Sequence, residues 1–224
     1  MALASSDRRV PGGGHGETFP IREAPVKAPP PAPRVEAGGF DISSLEAGEA
    51  IQDFKKRHPN AEGKLRIGLE AGTVYVGHAG GGGRFVYSIV GDSANTASRV
   101  EGLNKHVGTQ ILATGDVVEG FENLVTRYLG AFQFVGKTEA TPIYEVMALR
   151  ERATDEQLAL RDAFKGAMLH YEQGDWQSAA AALENVLVEF PDDGPSKFLL
   201  QRCRRAITDP AAVGKPGVIR MDAK

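Results

Sequence analysis

The chain reads as an α+β protein, and three observations point there. Between residues 64 and 147, short strand-like runs interleave with one long helical stretch and several glycine turns. From residue 155 the pattern changes to three helical runs separated by glycine, proline and aspartate. The first 39 residues fit neither pattern: they hold seven of the thirteen prolines and few large apolar side chains.

The elements follow in order. Residues 1–40 bury too little apolar surface to offset chain entropy and are predicted to be disordered. The Pro29-Pro30-Pro31 run has the composition of a ligand for an aromatic groove, but a plain linker is the favoured reading. Residues 42–58 turn helical, with Leu45, Ile51 and Phe54 on one face and Pro59 as the stop. Leu65, Ile67 and Leu69 alternate with polar or small residues, the pattern of a half-buried strand. A short strand over 73–77, or a continuation of the preceding one past a bulge at Gly72, is followed by a glycine loop over 78–84 and a strand over 85–90. A helix is predicted to start after Gly91-Asp92 and run to about residue 106, capped by Asp92 or Ser93 and ended by Gly108. Residues 110–113 read as a strand, 115–121 as a short helix, and 125–135 and 142–147 as a closing strand pair. Helices are expected over 155–172, 176–189 and 196–207, followed by an irregular tail over 209–224.

Composition excludes several classes. Among 224 residues, 26 Lys and Arg stand against 29 Asp and Glu, a net charge of −3, so no basic footprint for nucleic acid exists. No apolar run approaches the ~18 residues of a membrane span, and the start lacks a signal-peptide core. The lone Cys203 rules out an internal disulfide, which fits a reducing compartment. These features predict a soluble, cytoplasmic protein.

The chemistry concentrates in residues 84–99. Asn95 and Arg99 lie four apart and share a helix face. Their helix starts after Gly91-Asp92, where free amides and the macrodipole favour an anion. An amide, a guanidinium and a helix N-terminus together can stabilise a polyphosphate transition state. On spacing alone, a solvated helix face with a well-capped start is the favoured reading.

The block Tyr87-Ser88-Ile89-Val90-Gly91-Asp92-Ser93-Ala94-Asn95-Thr96-Ala97-Ser98-Arg99 resembles a motif of the class III adenylate/guanylate cyclase catalytic domain. So do Leu65 through Gly72, Val76-Gly77, Leu129 through Lys137 and Ile143 through Val146. The resemblance covers about residues 50–147 and implies an incomplete ferredoxin-like nucleotidyl cyclase domain over 41–148. It implies that Arg99 stabilises charge on the triphosphate, that Asn95 orients the ribose, that Ser88 helps read adenine and that Lys137 reaches the terminal phosphates. The competing readings place Ser88 against a neighbouring strand and Lys137 as decoration on a hairpin.

Departures from the family pattern are equally informative. Family catalysis uses Mg²⁺ or Mn²⁺, held by two aspartates in the first half of the domain. Phe40-Asp41-Ile42 is a poor match to the first metal motif, and the space before Leu65 is too short for the missing elements. No metal ligands are therefore assigned. Glu70 stands where the family usually has histidine. The chain reads as the second half of a cyclase domain, inactive alone, either a shortened gene product or a regulatory form. ATP is the implied substrate, and a homo- or heterodimer through the cyclase domain the implied assembly.

Tyr171, Gly174, Trp176, Ala180 and Pro191 resemble one tetratricopeptide repeat within a helical region over 155–208. A single repeat cannot stand alone and is expected to pack on the preceding domain or on the third helix. Residues 217–224 resemble the C-terminal end of bacterial membrane-bound sensor cyclases, whose sensor and membrane spans would lie upstream. The rival readings are a non-catalytic cyclase partner and a repeat-type interaction module.

Two motifs are set aside. Gly136-Lys137-Thr138 lacks the phosphate-loop glycine five residues earlier, where Ala131 stands. Gly80 through Gly83 reads as a turn, and the five histidines show no metal-ligand spacing.

Overall fold

The computed structural model describes residues 56–57, 65–81, 84–119 and 121–221. The predicted N-terminal disordered segment, the stretch around Asp41 and nearly all of the helix over 42–58 lie outside these residues. All but one of the described β-strands and α-helices overlap the places where the sequence pattern put them, within one compact unit, 34–224.

Strands β1 (Ile67–Leu69), β4 (Ile111–Thr114), β5 (Leu124–Gln133), β6 (Thr141–Leu149) and β7 (Val218–Arg220) form one mixed sheet in the order β1-β4-β6-β5-β7. The pairs β1–β4 and β5–β7 are parallel, while β4–β6 and β5–β6 are antiparallel. Strands β2 (Tyr75–Gly81) and β3 (Arg84–Val90) form a separate antiparallel ribbon. Helix α1 (Asp92–Val107) carries the chain from that ribbon back to β4. Helix α2 (Gly115–Val118) is a single turn, and α3 (Asp155–Gln173), α4 (Trp176–Glu189) and α5 (Gly194–Thr208) complete the set.

Periodicity explains α1. Thr96, Val100, Leu103, Asn104 and Val107 are buried along one face, at the three- and four-residue spacing of a helix. Asn104 then pins β1, donating from Nδ2 to the Ile67 carbonyl at 2.9 Å and accepting from the Thr109 hydroxyl at 2.8 Å. Helix and strand approach so closely that a Cβ at Gly68 would collide with the backbone of Ala97 and Glu101. Gly108 ends the helix in the left-handed region, φ 80°, where glycine carries no steric penalty.

The C-terminal helices are built from explicit caps. Thr154 and Gln157 form a capping box at α3, while Asp175 and Asp193 each accept an amide two or three residues into α4 and α5. Gly174, at φ 76°, turns the chain between α3 and α4, and Trp176 packs edge-on to Tyr171 at 5.2 Å. These helices do not form a separate body. Phe164, Met168, Tyr171, Leu183 and Leu199 share one buried cluster with Leu112, Leu129, Phe132 and Ile143 of the sheet. A smaller cluster around Ile111, Ala113, Val146 and Leu149 lies beside α2.

At the centre of this junction sits Arg127. Its Nε donates to Glu145 Oε2 at 2.9 Å and its Nη2 to Asp193 Oδ1 at 2.8 Å, with its guanidinium 4.7 Å from the Phe164 ring centre. Only 2% of the Arg127 side chain is exposed, so β5, β6, α3 and the start of α5 meet on one buried charge cluster. Burial pushes the Glu145 carboxyl up, and the adjoining guanidinium opposes that shift.

Four expectations change. The tail after Asp209, predicted irregular, holds a 3-10 turn, Pro210–Ala212, and β7. Ile219 of β7 is fully buried, and three residues were too few to show a strand period. The residues read as a glycine loop extend β2 and β3 instead, with Gly80 opposite Phe85 and Gly81 opposite Arg84, because cross-strand pairing satisfies their backbone groups. The remaining Gly82 and Gly83 of that loop lie outside the described residues. Neither Asp92 nor Ser93 caps α1: the cap is Gly91, with no side-chain bond. Leu65 falls short of β1 and is half-buried like its neighbours.

Candidate functional site

Helix α1 begins beside the β5–β6 turn, and this junction gathers most of the residues singled out above. Gly91 is extended, at φ 164°, and leaves the first turn of α1 without a side-chain acceptor for its amides. Asn95 and Arg99 are both exposed on this helix, one turn apart. Arg99 Nη1 donates to the Val135 carbonyl at 2.5 Å, which ties the guanidinium to the β5–β6 turn. Two residues further along that turn, Lys137 pairs through Nζ with Asp92 Oδ2.

The turn itself is held in place. Gln133 Nε2 donates to the carbonyls of Lys137 and Thr138, and the Lys137 amide donates to the Phe134 carbonyl at 3.0 Å. Arg99 and Lys137 therefore present two cations from neighbouring anchored positions beside an open helix N-terminus. Such a surface attracts an anion with several charged oxygens.

Glu70 follows the end of β1 on the same side of the molecule. Among the described residues, its buried Oε2 has no hydrogen-bond partner. Burial raises its carboxyl above the ordinary range; Asp116 and Asp92 push the same way, while Thr114 and Lys137 oppose. Ser88 is placed differently. It lies half-buried on the ribbon, opposite Gly77.

Sequence reasoning missed two features here. Asp92 was read as a cap, whereas its side chain serves Lys137, and no spacing rule links positions so far apart in sequence. Glu70 was noted only as a substitution; its burial depends on how β1 ends against the neighbouring strand and α2.

Among the described residues, no group of three or more His, Cys, Asp or Glu could hold a metal ion. The carboxylates of Glu70, Asp92 and Asp116 do not form a ligand set for a pair of divalent cations. No helix among the described residues is long and apolar enough to cross a membrane.

Residues 41–142 match the family model of the Adenylate and Guanylate cyclase catalytic domain. The chain is 38% identical over 102 residues to Adenylate cyclase 1 of Rhizobium meliloti (strain 1021), covering 45% of this chain and 15% of that protein. The adenylate cyclase of Anabaena cylindrica is 41% identical over 111 residues, covering 45% of this chain and 22% of that protein. A terminal-differentiation specific adenylate cyclase of Dictyostelium discoideum is 26% identical over 170 residues, covering 74% of this chain and 7% of that protein. This chain therefore spans no more than 22% of the length of these curated relatives. Among solved structures, the adenylyl cyclase CyaB from P. aeruginosa aligns with a TM-score of 0.40 at 22% identity, over 50% of this chain and 56% of that one.

Proposed function

We propose that this chain supplies the transition-state half of a class III cyclase active site that acts on ATP, and that it is silent without a partner domain. The observation that carries this reading is the junction of α1 with the β5–β6 turn, where Arg99, Lys137 and an uncapped helix N-terminus adjoin. In the reaction, the ribose 3′-oxygen attacks the α-phosphorus, a P–O bond to the β-phosphate breaks, and pyrophosphate leaves with cyclic AMP as the other product. Negative charge builds on the phosphoryl oxygens. A fixed guanidinium at Arg99 stabilises that charge, and the Lys137 ammonium neutralises the terminal phosphates. Asn95, one helical turn before Arg99, orients the ribose, and Ser88 contributes to adenine selection.

In this reading the metal-dependent activation of the 3′-hydroxyl falls to the partner. The β2–β3 ribbon is where that partner docks. Tyr75 is paired with Val90 and Val76 with Ile89, and all four side chains are exposed, on alternating faces. A two-stranded ribbon apolar on both faces is marginal in water and calls for a covering surface. Helices α3 and α4 serve this half as a structural support rather than as a free repeat module, since Phe164, Tyr171 and Leu183 are spent on the shared core.

The test is cyclic AMP production from ATP and Mn²⁺. The chain would be assayed alone and mixed with an intact cyclase domain that keeps its metal aspartates but carries a substitution at its own arginine. The expected result is silence alone and activity in the mixture, reduced about 10²–10³-fold by Arg99→Ala. Activity of the chain alone, or a silent mixture, would overturn the proposal.

A further inference from the structure

The lysine that the proposed reaction needs for phosphate is already occupied. We propose that Asp92 is a built-in competitor for Lys137, a carboxylate standing in for phosphate, so that a polyphosphate enters by displacing it. This inference rests on the reading of the α1 and β5–β6 junction as a triphosphate site and adds how that site is held closed.

The asymmetry of the pair sets which partner moves. The Lys137 side chain is 28% exposed and rises from a turn fixed by Gln133, whereas the Asp92 side chain is 76% exposed at the first residue of α1. A rotation of Asp92 into water therefore disturbs little, while the ammonium stays where the turn puts it. Exposed ion pairs of this kind hold weakly and yield to a ligand of higher charge.

Position matters as much as strength. Asp92 lies in the first turn of a helix with no side-chain cap, the place where the macrodipole favours an anion. Its carboxylate thus takes both features that would attract a phosphate, the ammonium and the helix end. Arg99 differs, for its hydrogen-bond partner among the described residues is the neutral Val135 carbonyl. Only one of the two cations is blocked.

The probe is inorganic tripolyphosphate, titrated calorimetrically into the full chain without nucleotide. Asp92→Asn is expected to bind about fivefold more tightly than the unmodified protein, the upper range for an exposed pair. Asp92→Ser, which also removes the charge, should behave alike. In a Lys137→Met background, Asp92→Asn should bring no gain, because the carboxylate acts through that lysine. Equal affinity of Asp92→Asn and the unmodified protein would overturn the latch and leave the anion site standing. The same gain with and without Lys137 would also overturn it, reducing Asp92 to general repulsion. If no variant binds tripolyphosphate, the anion site itself fails and the latch with it, whatever the cyclic AMP assay shows.

Discussion

Strand β5 runs between β6 and β7 with Leu129 and Phe132 out of water, whereas β3 leaves Ile89 and Val90 more than half exposed on a two-stranded ribbon. Both carry β-branched and aromatic residues, so their propensities are alike. What differs is the company each keeps. β5 has a strand on either side and α3 packed against it, with Arg127 joining them through Glu145, Asp193 and Phe164. β3 has only β2. Stability resides in the first region, and the second presents apolar surface that its own ribbon does not cover.

That contrast can be broken most sharply at Arg127. Arg127→Met leaves two carboxylates beside each other in a buried site, and urea unfolding should show a loss of about 3–5 kcal/mol. A loss below about 1 kcal/mol would mean that the charge cluster does not bind helices to sheet. Ile219→Ala tests the far edge of the same region. Its side chain is fully buried between β5 and the helices, so the same measurement should register about 2–5 kcal/mol. In the ribbon, Ile89→Ser should move stability by no more than about 0.5 kcal/mol. Its effect should instead appear in sedimentation, as weaker self-association or weaker pairing with a complementary cyclase domain. A large unfolding penalty for Ile89→Ser would show that the ribbon is part of the core after all.

Much of the body was legible because its signals are local. The Gly108 stop of α1 and the Gly174 turn between α3 and α4 each lie within a few residues. Asn95 and Arg99 were legible on one helix for the same reason. Contacts between distant positions were not. Arg127, Glu145 and Asp193 come from three separate elements, and nothing in their spacing signals that they meet. The Asp92–Lys137 pair and the docking of β7 on β5 belong to the same class. A three-residue strand has no period to read, and its existence depends on an edge offered by residues far earlier in the chain.

That last strand also bears on the order in which the molecule assembles. Val218 pairs with Ala131 only after the chain has passed through β6 and all three C-terminal helices. A contact of such long sequence separation forms late, since its loop-closure entropy must be offset by structure already in place. Until then the outer edge of β5 has unpaired amides and carbonyls beside apolar side chains, an invitation to strands from other molecules. The few residues around Ile219 thus act as a chaperone carried in cis, closing the edge most exposed to mispairing once the helices have brought it within reach.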